Sequence, residues 1–97
     1  MNEQVVCIAT LVAKEEQSNQ LYIALKELIS PTRNEKGCLG YELHQDISSP
    51  EIFTMIEKYV NQEAFEFHSN QIYLKKFKKN IENLAKSVKV NLYKIIV

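Results

Sequence analysis

Residues 51–68 read EIFTMIEKYVNQEAFEFH, and this stretch decides the fold. Residues 51–60 are rich in β-branched and aromatic side chains and contain no Gly or Pro, which is the composition of a strand. Successive side chains point to opposite faces of a strand, and here both faces are mostly apolar. A strand with two apolar faces is predicted to lie inside a sheet that is covered on both sides.

One row of this strand combines the aromatic side chains of Phe53 and Tyr59 with the carboxylate of Glu57. A short helix is predicted over residues 62–68, soon after the strand, and it ends with a histidine. This order brings His68 within reach of the end of the strand. We therefore expect any chemical site of the protein to lie between the strand and this helix.

Periodicity places the other elements before and after this stretch. Continuous or alternating apolar residues predict strands, and apolar residues at three- and four-residue steps predict helices. The predicted strands span 5–13, 38–46 and 88–97, and the predicted helices span 16–30 and 70–86. Strand 38–46 has one polar face, which indicates the edge of a sheet.

Two residues are expected to shape the connection between the first helix and strand 38–46. Pro31 disfavours helical geometry in the residue before it, so we expect the first helix to end or kink at Ser30. Gly37 closes the polar connector 32–37. We interpret it as a C′ or turn residue, because glycine can take a positive φ without strain.

The element order β-α-β-β-α-β predicts an α+β fold of the ferredoxin-like class, a four-stranded antiparallel sheet with two helices on one face. Two helices cover only one face of this sheet, yet several of its strands are apolar on both faces. The second face needs another cover, and a second copy of the chain is the simplest one. The sequence therefore predicts a homodimer that forms through the sheet faces.

Composition narrows the class of protein. The chain has 97 residues, of which 45% are hydrophobic and 25% charged, and this balance fits a single globular domain over residues 1–97. The formal net charge is +0 and Arg33 is the sole arginine, so the basic field that nucleic-acid binders need is missing. The N-terminus has no basic region before the apolar run 5–13, which is too short for a membrane span. We expect a cytoplasmic protein without a nucleic-acid or membrane partner.

Three stretches together resemble the signature of the antibiotic biosynthesis monooxygenase (ABM) domain. Residues 32–44, TRNEKGCLGYELH, resemble the family pattern tR-x-E-x-G-c-l-x-Y-x-l. The pair Glu57 and Tyr59 resembles the family's E-x-W, and residues 63–68, EAFEFH, resemble its x-A-x-x-x-H. The resemblance covers essentially the whole chain.

This resemblance implies a dimeric α+β barrel in which each protomer keeps a pocket between its sheet and its helices. Many family members oxidise phenolic or quinol substrates without flavin, haem or metal, and relatives include haem-degrading enzymes and an isomerase of a phosphorylated signalling sugar. Two positions depart from the pattern, because Tyr59 replaces the family tryptophan and Tyr73 replaces the second histidine of many members. Haem degraders of this class typically use a tryptophan and an asparagine, so haem degradation is not expected here.

His68 is the candidate general base, because histidine titrates near neutral pH and the chain has only two histidines. In the alternative interpretation, His68 only interacts favourably with the dipole at a helix C-terminus. His44 lies on the polar face of the predicted edge strand and is interpreted as a surface residue. Glu57 is the candidate catalytic partner that orients His68 or exchanges protons with it. Its alternative role is a structural ion pair with Arg33 or Lys58.

The remaining candidates would bind the substrate. Tyr59 and Tyr73 are expected to line the pocket and hydrogen-bond a phenolic oxygen, and both also fit amphipathic core positions. Phe53 and Phe65 are core residues by default and pocket wall at most. Arg33 is the only arginine available for a phosphorylated substrate. The sequence has no glycine-rich phosphate loop and no two-histidine ligand spacing, so no cofactor and no metal are predicted.

These residues predict a small cofactor-independent monooxygenase that acts on a phenolic or quinol-type aromatic, with His68 as its base. An isomerase of a small sugar-like metabolite that uses the same pocket is the first alternative. A non-catalytic dimeric module that binds a small molecule is the second.

Overall fold

The computed structural model describes residues 3–97. The strands are β1 (Val5–Ala13), β2 (Cys38–Gln45), β3 (Ile52–Tyr59) and β4 (Ala85–Lys94). The helices are α1 (Ser18–Lys26), α2 (Ile29–Arg33), α3 (Gln62–Ser69) and α4 (Ile72–Asn80), and a 3₁₀ turn follows at Ile81–Asn83. Within the described residues, no helix combines the length and the apolar content that crossing a membrane requires.

The four strands form one antiparallel sheet in the order β2-β3-β1-β4. The interior position of β1 and β3 follows from their two apolar faces, and β2 with its polar face is an edge strand, as predicted. Glu57 on β3 lies directly opposite Cys7 on β1 and Tyr41 on β2. The side chain of Glu57 therefore projects from the middle of the sheet, on the face that the helices cover.

The core lies between that face and the helices. Leu21 and Leu25 of α1 pack against a row from the sheet that includes Leu11, Phe53 and Met55, and all of these side chains are buried. Burial of each such side chain stabilises the fold by about 1.5–3 kcal/mol. The four-stranded α+β fold predicted from the sequence is confirmed.

The opposite face of the sheet stays largely uncovered in the single chain. Its apolar side chains include Val6 and Ile8 of β1, which are half-buried, and Ile56 of β3, which is 39% exposed. Strand β4 adds Tyr93, which pairs with Val6 and is 50% exposed. An apolar surface of this extent is the feature from which the dimer was predicted.

The first predicted helix is divided into two, and Pro31 does not end it. Helix α1 ends at Lys26, and Pro31 lies in the first turn of α2. A proline is tolerated there because the first N–H groups of a helix have no partner within it. The first N–H that bonds back is that of Thr32, which donates to the carbonyl of Leu28 at 3.1 Å. The prediction that the helix ends or kinks at Ser30 was therefore wrong.

Gly37 lies in a turn, as predicted, although its φ is not positive. A Cβ atom added at this position would lie 2.4 Å from the Cβ of Ala64 in α3. Glycine is therefore required for space and not for an unusual backbone conformation. The close contact holds the loop that follows α2 against α3, which matters for the site described below.

The second long helix ends earlier than predicted. Helix α4 stops at Asn80, and β4 begins at Ala85 and ends at Lys94. Leu84 and Ala85 fit the apolar stripe of a helix and also the start of a strand, so periodicity alone assigned them wrongly. Pairing decides the outcome, since Ala85 lies opposite Ala13 beyond a register shift in β1.

Candidate active site

Helix α3 places the side chain of His68 in the interior of the protein. The side chain of Asn61 caps the helix by accepting a hydrogen bond from the N–H of Ala64 at 2.8 Å, and Glu63 lies in the first turn, where the helix dipole favours an anion. Two turns later the helix reaches His68, whose side chain is only 3% exposed. A histidine that only interacts with the dipole at a helix end can stay exposed to water. The helix dipole alone therefore does not explain why His68 is buried.

His68 lies between two buried carboxylates. Its Nδ1 atom is 3.0 Å from Oε2 of Glu35, and its Nε2 atom is 3.8 Å from Oε1 of Glu57. The glutamate side chains are 5% and 7% exposed, respectively. Within residues 3–97, no lysine or arginine nitrogen lies within 4.0 Å of either carboxylate. The imidazole is therefore the basic side chain nearest to both carboxylates among these residues.

Glu57 is held by its own strand and not by a basic side chain. The hydroxyl of Tyr59 donates to Oε1 of Glu57 at 2.6 Å. The alternative in which Glu57 pairs with Arg33 or Lys58 is wrong, because Nε and Nη2 of Arg33 donate to the carbonyl of Tyr41 at 3.1 and 2.8 Å. Burial raises the pKa of the Glu57 carboxyl, and the Tyr59 hydrogen bond and the nearby imidazole oppose this rise only in part.

The neighbours of Glu57 stay neutral. Burial and the adjacent Glu57 carboxylate raise the pKa of the Cys7 thiol to about 12. The same two causes raise the pKa of the Tyr41 and Tyr59 hydroxyls well above their ordinary range. The thiol and the two hydroxyls therefore keep their protons near neutral pH.

Aromatic rings fix the plane of the imidazole. The ring of Tyr41 meets it edge-on at a centroid distance of 5.6 Å, and the ring of Tyr59 lies tilted against it at 5.3 Å. Phe65 in turn packs edge-on against Tyr59 at 5.6 Å. These contacts limit rotation of the His68 side chain, and they exclude water from it.

A cavity of about 120 Å³ adjoins His68 and Glu57. Most of its wall is apolar and comes from the sheet, α1 and α4, and exposed residues at its rim include Lys78, Val88 and Val90. An apolar cavity of about 150 Å³ holds a benzene molecule, so this one matches a single aromatic ring more closely than a fused ring system. The cavity can therefore place a small aromatic hydroxyl against an acid–base pair.

The structure brings together only some of the residues predicted for the site. His68, Glu57 and Phe65 line the cavity, whereas Tyr59 reaches it only through its hydrogen bond to Glu57. Phe53 is a core residue that stacks on the ring of Tyr22.

Two predicted substrate-binding residues lie elsewhere. The hydroxyl of Tyr73 donates to Glu35, and Tyr73 lines a surface depression separate from the cavity. Arg33 lines a third depression beside Lys26 and His44, so it does not face the cavity. These two side chains are not placed to touch a molecule bound there.

Glu35 is the residue that the sequence analysis missed. It was assigned to the polar connector 32–37, although it is the glutamate of the TRNEKG stretch that carries part of the family resemblance. A charged residue in a short connector is ordinarily solvated, and nothing local in the sequence shows its burial. The pattern position of this glutamate was the only available signal.

Glu35, His68 and Glu57 do not surround a single point. The two glutamates face opposite nitrogens of the His68 ring, so the imidazole separates the two carboxylates. Within residues 3–97, no group of three or more His, Cys, Asp or Glu side chains is arranged to hold a metal ion. Glu35, His68 and Glu57 instead form a row of three buried side chains.

The sequence pattern described as antibiotic biosynthesis monooxygenase matches residues 4–80 of the chain. The chain belongs to this family. The ABM-family protein superposes on PA3566 from Pseudomonas aeruginosa with a TM-score of 0.94 at 33% identity, covering 100% of this chain and 98% of that one. It superposes on SO0527 from Shewanella oneidensis with a TM-score of 0.93, also at 33% identity, covering 98% and 93%. Both the family and the ferredoxin-like fold predicted from the sequence are confirmed.

A longer relative gives less information. The uncharacterized protein sll1783 from Synechocystis is 25% identical over 95 residues, which amount to 97% of the ABM-family chain. The chain spans 65% of the length of that relative. The similarity is consistent with membership of the ABM family and gives no information about the reaction.

Proposed function

We propose that this ABM-family protein is a small monooxygenase that needs no cofactor and oxidises a phenolic or quinol-type aromatic, with His68 as its general base. One observation carries the proposal: a buried histidine and a buried carboxyl meet at an apolar cavity of the size of one aromatic ring. Perturbed acid–base groups in a dry cavity are typical of catalytic sites.

The reaction begins when a substrate hydroxyl reaches Nε2 of His68. The imidazole takes its proton, and the electron-rich anion that remains passes electrons to O₂. Oxygen then adds to the ring carbon, and loss of water from the hydroperoxide leaves a carbonyl. The substrate supplies all the electrons, so one O₂ molecule gives one carbonyl oxygen and one water.

Each part of the site has a role in this scheme. A positioned base accelerates proton removal by roughly 10²–10⁴-fold. The apolar wall orients the ring and excludes water, which contributes the remaining acceleration. Burial raises the pKa of Glu57, so its carboxyl takes up a proton more readily than an exposed glutamate, and it is the group placed to pass a proton to the departing peroxide oxygen.

The isomerase alternative has less support. It would use His68 and Glu57 to move protons through an enediol, but a phosphorylated sugar also needs an anion site. The guanidinium of Arg33 is held by the Tyr41 carbonyl and lines a different depression. The mostly apolar wall of the cavity suits an aromatic ring better than a sugar.

We also propose that the protein works as a homodimer that forms through the sheet faces. The support is the apolar surface of the uncovered sheet face, which includes Ile8, Ile56 and Tyr93. A contiguous exposed apolar surface ordinarily marks an interface.

Oxygen uptake tests the proposed reaction directly. The purified protein is mixed with single-ring hydroquinones and phenols and with larger polyketide-like aromatics, and O₂ consumption and product are followed. We expect saturable uptake with a single-ring quinol and slower turnover of fused rings. Binding of a quinol without any O₂ consumption above the uncatalysed rate would favour the binding-module alternative.

A further inference from the structure

Glu35 accepts two hydrogen bonds through the same oxygen. The hydroxyl of Tyr73 donates to Oε2, and Nδ1 of His68 lies 3.0 Å from that atom. A carboxylate has acceptor sites only, so the group that faces it must carry hydrogen. Nδ1 of His68 is therefore protonated in the neutral imidazole and in the imidazolium.

The other ring nitrogen, Nε2, is then the one that gains and loses a proton. Nε2 carries the lone pair of the neutral ring, and it lies on the side of Glu57. His68 and Glu57 both line the cavity, whereas Glu35 and Tyr73 line a separate depression on the surface. A substrate in the cavity would meet Nε2 and not the pair that fixes Nδ1.

We infer that Glu35 and Tyr73 are positioning residues that keep a proton on Nδ1 of His68, so that Nε2 serves as the base towards the cavity. The inference rests on the proposed function, in which His68 accepts the substrate proton. It follows the general rule that the hydrogen bond at one imidazole nitrogen determines the chemistry of the other.

The backbone holds Glu35 in place for this role. Its N–H donates to the carbonyl of Thr32 at 3.0 Å, and its carbonyl accepts from the N–H of Cys38 at 3.1 Å. The close contact between Gly37 and Ala64 then fixes the loop against the helix that carries His68. The carboxylate has little freedom to move away from Nδ1.

The cost of burying Glu35 also points to function. Its Oε1 atom is buried and has no hydrogen-bond partner among the described residues. A buried polar atom without a partner destabilises a fold, and such groups call for an explanation beyond folding. Orientation of the imidazole provides one, because a neutral side chain could not hold the positive charge that His68 acquires during proton transfer.

The variant Glu35→Leu separates positioning from packing. Leucine fills a similar volume but offers no acceptor for the N–H at Nδ1 or for the hydroxyl of Tyr73. The neutral ring of His68 should then lose its preference for a proton on Nδ1 and carry the proton largely on Nε2. The matched control is Glu42→Leu, which removes the exposed carboxylate 3.2 Å from Nε2 of His44.

Ring-nitrogen NMR of the ¹⁵N-histidine-labelled protein, without substrate, gives the deciding signal. In the wild type, neutral His68 should show a protonated Nδ1 and an unprotonated Nε2. Glu35→Leu should shift the proton from Nδ1 towards Nε2, and Glu42→Leu should leave the signals of His68 unchanged. With hydroquinone as the probe, Glu35→Leu should lower kcat by about 10²–10⁴-fold and change KM less than about threefold. Tyr73→Phe keeps the carboxylate, so it should keep the tautomer and lower kcat by less than about tenfold.

Two results would overturn the inference. One is a wild-type His68 that carries its proton on Nε2, which needs no variant to observe. The other is a folded Glu35→Leu protein, verified by its melting curve, with both ring signals unchanged. Failure of the proposed function looks different: a His68→Asn variant would consume O₂ with hydroquinone at the wild-type rate, whatever the tautomer signals show.

Discussion

The Nε2 atom of His68 lies 3.8 Å from Oε1 of Glu57, which is too far for a hydrogen bond and close enough for strong electrostatic coupling. Within residues 3–97, Nε2 has no hydrogen-bond partner, whereas Nδ1 is bound to Glu35. The nitrogen that faces the cavity is therefore open. A substrate hydroxyl could occupy this position and exchange its proton with either group.

His68→Asn should remove the base and keep a hydrogen bond to Glu35, since the asparagine amide lies near the position of Nδ1. We expect kcat/KM with a turned-over quinol to fall by roughly 10²–10⁴-fold. Steady-state oxygen uptake measures this loss. His44→Asn, at the exposed histidine of β2, is the matched control and should retain the wild-type rate. Equal rates for His68→Asn and the wild type would exclude His68 as the base.

His68→Ala should differ from His68→Asn in stability. It leaves Glu35 and Glu57 buried without any basic side chain within 4.0 Å among the described residues, and Glu35 also loses its hydrogen bond to Nδ1. Removing one partner of a buried pair typically costs about 3–5 kcal/mol. Urea denaturation should therefore show a markedly lower free energy of unfolding for His68→Ala than for His68→Asn. If the two variants had the same midpoint, the imidazole would not stabilise these carboxylates.

Glu57→Gln should change how stability depends on pH. Burial raises the pKa of Glu57 above its ordinary value of 4.5, so the folded protein binds this proton more tightly than the unfolded chain. Its contribution to the free energy of unfolding is greatest below that value and is lost as pH rises through the folded-state pKa. Glutamine cannot ionise, and its oxygen still accepts from Tyr59. The variant should therefore gain stability relative to the wild type as pH rises.

Urea denaturation at several values between about pH 4 and pH 8 checks this expectation. The control is Glu42→Gln, because Glu42 is exposed on β2 and its removal should leave the pH dependence of stability unchanged. Parallel stability curves for Glu57→Gln and the wild type would show that Glu57 titrates alike in the folded and unfolded states.

The sequence predicted the part of the site that one short stretch contains. Glu57 and His68 belong to a strand and to the helix that follows it, so alternation and helical spacing were enough to bring them together. The two apolar faces of β1 and β3 likewise placed both strands inside the sheet. These signals are local, and local patterns survive folding.

Contacts between distant segments could not be predicted in this way. Glu35 and His68 are 33 positions apart, and their hydrogen bond depends on the packing of one loop against α3. The position of the Arg33 side chain could not be predicted for a related reason, because its hydrogen-bond partner is the backbone carbonyl of Tyr41. Every residue has a carbonyl, so the sequence does not show which one a guanidinium will bind.

Gly37→Ala should disturb the fold and the site together. The new Cβ would lie 2.4 Å from the Cβ of Ala64. Both Cβ atoms are attached directly to the backbone, so this clash is relieved only if the loop moves away from α3. We expect a loss of about 1–3 kcal/mol in the free energy of unfolding and a weaker contact between Glu35 and His68. Gly40→Ala is the matched control, since its Cβ would meet only Lys58 at 3.9 Å. Equal stability of the two variants would mean that the loop is free to move.

Ile8→Asp tests the homodimer. Ile8 of β1 lies opposite Ile56 of β3 on the face that the helices leave uncovered. It is half-buried in the single chain, so an aspartate there keeps access to water unless a second protomer covers it. A sheet-to-sheet interface of about 1,600 Å² would bury that charge without a partner, at a cost that opposes association. We expect the wild type to be a dimer at micromolar concentration in light scattering, and Ile8→Asp to be monomeric or aggregated.

The matched control for this prediction is Ile23→Asp, at an exposed isoleucine of α1 that lies away from the sheet. It introduces the same charge and should leave the dimer intact, because no interface is proposed on that helix. A monomeric wild type would contradict the proposed dimer outright. Dissociation by Ile23→Asp but not by Ile8→Asp would instead place the interface on the helical side, and the sheet face would then need another explanation.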